Sequence, residues 1–274
     1  MPSKTSKTYA SFYKNDLAVN QSSNTGVDAT TREIQDGAGN NTSMSISDDV
    51  LLVQPQNDDT TGTLIVKDTG DHSILTVDTT NAKVLMGAAQ VAANTQYAHF
   101  AQSSDEVSAA GQLADTHYMI RFSDTQWVGA TSNFALGSAT SSSFNDTNPA
   151  SSLTLSTTSN YAIQCYWYVM DNITIDAVKW WHAADAATGD TTAAHLMSYA
   201  VDIDNGSTSG DLSGGTVVAD GANITNAGYE QAYYQAMTIQ SADVNAGRVI
   251  LFTFAADTVN SDYSINATIK YHIT

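Results

Sequence analysis

The hydrophobic positions of the chain fall in short runs that alternate with polar positions, and the period is two rather than 3.6. The last segment shows this most cleanly. Ile265, Ala267, Ile269, Tyr271 and Ile273 interleave with Asn266, Thr268, Lys270 and His272, which is the pattern of a strand with one face buried and one wet. Comparable segments lie near 116–123, 151–156, 160–170, 172–183, 195–203, 215–219, 231–240 and 248–256. Turn-rich loops separate them, with no periodic helices between. Strands of this number and spacing predict an all-β fold, with residues 116–274 forming a two-sheet antiparallel β-sandwich of jelly-roll type. An immunoglobulin-type sandwich is the alternative.

The first third of the chain follows the same period with less apolar material. Residues 62–87 read as a three-strand meander, GTLIVKD, HSILTVD and AKVLMG, joined by turns at 69–71 and 79–81. Leu64 and Val66, Leu75 and Val77, and Val84 and Met86 occupy alternating positions, so one face of the sheet collects all six side chains. A three-stranded sheet this small is marginal in water. These six residues are therefore expected to form an interface between copies of the chain, with residues 59–90 making a threefold β-prism. Residues 1–58 are polar, with a turn cluster at 36–41 and brief apolar pieces at 17–19 and 50–53. They cannot bury themselves and read as an extended attachment arm. Residues 91–115, rich in Ala, Gln and Ser, read as a linker.

Composition sharpens the β assignment. Hydrophobic residues make up 42% of the chain but charged residues only 14%, so Ser, Thr, Asn, Asp and Gln must cover the surface. There are three Glu (Glu33, Glu106, Glu230) among 28 acidic residues, and the Asp that supplies the rest favours turns over helix interiors. A formal net charge of −18 opposes binding to nucleic acid, which needs Lys and Arg to displace condensed counterions. It suits a soluble protein at high ionic strength, where self-repulsion is screened within about 8 Å. The single cysteine, Cys165, lies in an apolar run and reads as a buried, inert thiol. No run approaches ~18 apolar residues, and residues 1–14 carry Lys4, Lys7 and Lys14 without an apolar core. The expectation is a protein made in the cytoplasm without a signal peptide or membrane insertion.

Candidate chemistry is sparse. The six histidines are scattered, with no HExxH pair, and there is no GxSxG, no Walker-type loop and no dinucleotide fingerprint. The chain is not expected to be an enzyme. The loop around Asp202, Asp204 and Asp211 supplies closely spaced hard oxygen ligands of the kind Ca2+ prefers. Ser213 stands where an EF-hand places its bidentate Glu, and a solvated hairpin loop explains the composition better. Trp180, Trp181 and His182 form the candidate binding set, because consecutive strand residues face opposite sides and one tryptophan must point away from the core. Such a ring stacks on a sugar or fills a subunit interface. Given the prism, the interface ranks ahead.

Three stretches, 34–43 (IQDGAGNNTS), 74–87 (ILTVDTTNAKVLMG) and 259–272 (VNSDYSINATIKYH), make the chain resemble virion structural proteins of marine tailed bacteriophages. The resemblance implies a homotrimeric fibre or capsid decoration protein, or a tail fibre, without catalytic residues. Its N-terminal part would be anchored to capsid or tail proteins of the same particle. Its sandwich would project from the virion exterior, stabilising the capsid or touching a host-surface glycan. A carbohydrate-binding sandwich module of an extracellular protein is the alternative.

Overall fold

The computed structural model describes residues 16–22, 26–57, 61–103, 114–123, 139–141, 152–153, 163–185, 188–228, 230–258 and 262–274. Among these residues the regular elements are β-strands and one 3-10 turn, Ile163–Cys165. The chain divides into two compact units, Met1–Asn94 and Thr95–Thr274.

The N-terminal unit holds two four-stranded antiparallel sheets. The first is β1 (Leu17–Val19), β2 (Arg32–Asp36), β3 (Asn41–Ile46) and β4 (Leu51–Val53), and the second is β5 (Leu64–Lys67), β6 (Ser73–Asp78), β7 (Lys83–Met86) and β8 (Val91–Ala92). Each is a simple up-and-down meander. Aspartates close the turns. Asp36 Oδ1 accepts from the backbone N–H groups of Ala38 and Asn40 at 2.9 and 2.8 Å, and Gly39 supplies the positive φ of 85° that this turn requires. Asp68 Oδ1 accepts from Gly70 and His72 N–H at 2.8 and 2.9 Å, while Asp78 Oδ1 accepts from Asn81 N–H at 3.0 Å. The carboxylate thus imitates a backbone carbonyl at the point where the chain reverses.

Two features of this unit differ from expectation. The stretch read as an extended arm contains a paired sheet, β1 to β4, and the meander gains a fourth strand, β8. Both additions are strands of two to six residues in polar surroundings, too short to establish a period by themselves.

The C-terminal unit is a β-sandwich. One sheet has the order β17 (Glu230–Ala236), β13 (Ile173–Asp185), β21 (Asp262–Ile273) and β9 (Thr95–Ser103). The facing sheet runs β11 (Ala139–Ser141), β10 (His117–Ile120), β20 (Arg248–Ala256), β14 (Thr191–Val201), β15 (Leu212–Asp220) and β18 (Thr238–Ile239). Short strands β12 (Trp167–Tyr168), β16 (Ile224–Thr225) and β19 (Asp243–Val244) pair with β20, β14 and β13. Every pairing is antiparallel. At one corner a Phe100–Phe122 bridge brings β9 beside the continuation of β10, and at another Met237 N–H donates to Val178 O as the chain passes from β17 to β18.

Inner faces of both sheets meet in one core. Phe100, Ile175, Val178, Trp180, Ile265, Ala267 and Ile269 come from the first sheet, and Ile120, Leu196, Phe252 and Phe254 from the second. The alternation read from 263–273 holds over most of the strand, with Tyr263, Ile265, Ala267 and Ile269 buried and Ser264 and Asn266 exposed, but not at its end, where His272 is buried and Tyr271 and Ile273 are half-buried. In β13 the parity changes between Ile175 and Val178, and a bulge at Asp176 absorbs the odd step. The second sheet is buried on its other face too. There Met119, Met197, Tyr199, Val249 and Leu251 pack with Cys165 and Leu212.

The linker expectation needs correction. Residues 95–103, inside the stretch read as a connection, are strand β9, which pairs with β21 over nine positions from Ser264↔Ser103 to His272↔Thr95. Its inward residues Ala98 and Phe100 are buried, but a single large apolar side chain amid Thr, Gln and Ser gave little periodic signal. Most of the segment expected near 151–156 lies outside the described residues, within which Leu153 bridges Leu212.

Candidate functional site

The six residues expected at an interface share one face of the β5–β8 sheet. Cross-strand pairing builds two rows, Leu64–Val77–Val84 and Val66–Leu75–Met86, with Val91 extending the second. Leu64, Val66, Val84 and Met86 are exposed by 41, 45, 42 and 54%, and Leu75 and Val77 are half-buried. The buried residues of this sheet, Thr76 and Asp78, are polar. Its apolar face is wet in the single chain, an unusual arrangement for so contiguous a patch.

The Trp180–His182 set splits between the two sides of β13. Trp180 and His182 are wholly buried and Trp181 is 51% exposed, so the first two do not belong to a surface site. Trp180 donates its indole N–H to Gln235 Oε1 at 3.2 Å. His182 lies between Trp180 and Tyr233, with ring centroids 5.0 and 5.1 Å away, and its Nε2–H donates to Asn226 Oδ1 at 3.0 Å. Burial pushes the His182 imidazole below its ordinary range, against the smaller opposing effect of the Asn226 hydrogen bond. The ring is a neutral core group.

Trp181 instead joins residues that periodicity could not pair with it. Directly across the strand on β17 lies Tyr234, 46% exposed, its ring centroid 4.8 Å from that of Trp181 at an interplanar angle of 48°. Lys179 Nζ sits 5.7 Å from the Tyr234 ring centroid, within cation–π range. On β21, Asn266 stands opposite Trp181 and Thr268 opposite Lys179. His99 of β9 follows Thr268 in the same row. Flanking outward positions Ala183, Ala232 and Ala236 are small, so the two rings stand above their surroundings. A Tyr-Tyr pair at 233–234 was the only trace of this partner in the sequence, and selecting it requires the β13–β17 register.

Loop residues 202–211 are held together internally. Asp202 Oδ1 accepts from Asp204 N–H at 3.0 Å and Oδ2 from Thr208 Oγ1 at 2.6 Å. The Thr208 hydrogen bond is the main cause that holds this carboxyl below its usual range. Asp211 contributes its backbone, accepting from Asp202 N–H at 2.9 Å. Among the described residues no group of three His, Cys, Asp or Glu side chains is placed to hold a metal ion.

Cys165 is buried, its Sγ 3.7 Å from Met119 O, and burial pushes the thiol up to about 12. It therefore stays protonated and poorly nucleophilic at neutral pH. Among the described residues no helix is long and apolar enough to cross a membrane. No protein-family model matches the chain, and no curated protein matches it.

Proposed function

We propose that the chain is a structural and adhesive protein, not an enzyme: a homotrimeric component of the exterior of a tailed-bacteriophage particle, as a capsid-surface fibre or decoration protein or as a tail fibre. The N-terminal unit assembles and anchors it to neighbouring capsid or tail proteins, and the sandwich is the exposed head. The sandwich is taken to be of jelly-roll type. In support, its eight longest strands among the described residues divide four to a sheet, and the chain passes β9 to β10, β13 to β14, β15 to β17 and β20 to β21 across the gap. The phage assignment rests on the three stretches quoted above.

One observation carries the assembly role, the apolar face of the β5–β8 sheet. Completing the burial of each half-exposed side chain contributes about 1 kcal/mol, multiplied over the copies that meet. Other copies of this chain are its natural cover, because each brings an identical pair of apolar rows. Sedimentation of the purified chain at micromolar concentration should give three times the chain mass, and Val66→Asp with Met86→Asp should give a monomer with an intact sandwich. A monomeric wild-type protein would overturn the trimer. Mass spectrometry and imaging of purified particles would place the chain on shell or tail, or remove it from both.

A carbohydrate-binding sandwich module is the second reading, favoured by the exposed Trp181–Tyr234 pair. A monomer that binds sugars through this pair would replace the first reading with the second.

A further inference from the structure

The outward face of the β17–β13–β21–β9 sheet holds a central patch whose charge is opposite to that of the chain, between acidic rows at its two ends. Four consecutive cross-strand rows make up this patch: Ala232–Ala183–Ser264–Ser103, Tyr234–Trp181–Asn266–Ala101, Ala236–Lys179–Thr268–His99, and Ala177–Lys270–Tyr97. None of these four rows contains a carboxylate, whereas the rows that flank them, Glu230–Asp185–Asp262 and Asp243–Thr174–His272–Thr95, do. Within residues 95–274 there are four basic residues, Arg121, Lys179, Arg248 and Lys270, against seventeen Asp and Glu. Arg121 is buried, and Arg248 is engaged with Ser198 O and Gly214 O, both at 2.9 Å. Both lysines of the unit stand in adjacent rows of this one face, next to the exposed aromatic pair.

We propose that this face binds an acidic pyranose, a sugar ring bearing a carboxylate. The apolar side of the ring would lie on Trp181 and Tyr234. Its carboxylate would meet Lys179, with Lys270 one row further, and its hydroxyls would meet Asn266, Thr268 and His99. Stacking needs an exposed ring with low neighbours, which the alanines provide. The charge complementarity is local. A dense polyanion such as nucleic acid would feel the acidic remainder of the molecule, whereas an isolated carboxylate in contact with Lys179 feels chiefly the lysines once salt limits the range of other charges to about 8 Å. The proposal rests on the adhesive role suggested above and names its ligand class.

A tetrasaccharide of alternating glucuronic acid and glucose, with neutral cellotetraose as its control, provides the probe pair. Titrations at 0.15 M salt would be followed by the NMR signals of the Trp indole N–H groups in the full chain. The acidic probe should shift the Trp181 signal and bind at least tenfold more tightly than cellotetraose. Trp181→Ala and Tyr234→Ala should each weaken it tenfold or more. Lys179→Ala should bring the two probes to within about twofold of each other, while Lys179→Arg should preserve the preference. Equal binding of both probes to the wild type, or no effect of Lys179→Ala, would overturn the acidic specificity. Absence of binding, or loss of self-association in Trp181→Ala, would overturn the site, the latter by showing that another copy covers it. The trimer is measured separately by sedimentation. A trimer without sugar binding ends this proposal alone, and a sugar-binding monomer ends the trimer alone.

Discussion

Around Phe252 in the C-terminal unit, Trp180, Phe100 and Phe254 are wholly removed from solvent, and their rings meet at centroid distances near 6 Å. Around Val66 in the N-terminal unit, the neighbouring apolar side chains are about half exposed, while Thr76 and Asp78 are buried. Both units are built from antiparallel strands of alternating pattern. Among the described residues of the N-terminal unit, however, no apolar side chain is fully buried. The sandwich has a second sheet to cover its apolar faces, whereas Leu64, Val66, Val84 and Met86 of the β5–β8 sheet stay about half exposed. Alternation thus specifies which side of a strand is apolar, and it leaves open what that side will touch.

The strongest way to break this comparison is to damage one unit and ask whether the other notices. Trp180→Ala removes a large, fully buried ring and leaves Gln235 without the indole N–H that it accepts at 3.2 Å. The expected cost is about 3–5 kcal/mol, read as a lower urea midpoint for the sandwich. The sedimentation mass should stay that of the wild type. A variant with wild-type stability would mean that the ring is not packed as described.

Acid should separate the two units next. His182 is neutral in the fold, its pKa held below the unfolded value of about 6.5 by burial. As pH falls through that value the unfolded chain takes up a proton that the folded sandwich refuses, so stability is lost from about pH 6.5 downward until the folded value is reached. The slope for this one group is at most about 1.4 kcal/mol per pH unit, and His182→Gln should flatten it. In the N-terminal unit Asp36, Asp68 and Asp78 are held below 3.8, chiefly by the hydrogen bonds of Asn40, His72 and Asn81 respectively. Their contribution is present above that value and is lost as pH falls through the lower folded values. Urea titrations at pH 7, 5 and 3 should therefore weaken the sandwich first. An order reversed would contradict the assignment of His182 as a buried neutral ring.

How much of this was legible in the sequence depends on parity. The outward turn of one tryptophan follows from strand geometry, and so does the shared face of Leu64, Val66, Leu75, Val77, Val84 and Met86. The same rule bars Trp180 and Trp181 from a common face, and puts His182 with Trp180. What parity cannot supply is which tryptophan faces in. Ile175 and Val178 are three apart and both buried, so the period before the Asp176 bulge predicts the wrong side after it. Register is equally hidden. Tyr234, Asn266 and His99 lie 53, 85 and 82 positions from Trp181 in the chain and meet its face only through three strand pairings. Strand β9 was invisible for a related reason, since β21 rather than its own composition makes it a strand.

The smallest expected effect is the most exacting check, because it uses the residue next to the largest. Trp181→Ala removes the same side chain as Trp180→Ala, one position along the same strand. Trp181 is 51% exposed, so no sealed cavity forms and solvent already wets half the ring. Its contact with Tyr234 is worth about 0.5–1.5 kcal/mol beyond area burial by the general behaviour of aromatic pairs, and partial exposure places it at the low end. The loss should be about 1 kcal/mol or less, with the sedimentation mass unchanged. If Trp181→Ala costs as much as Trp180→Ala, the ring is covered in the protein as it exists in solution, and the outward face of β13 is part of a packed interface. If the costs differ severalfold, the face is open, and a tryptophan kept in water there is available to a ligand.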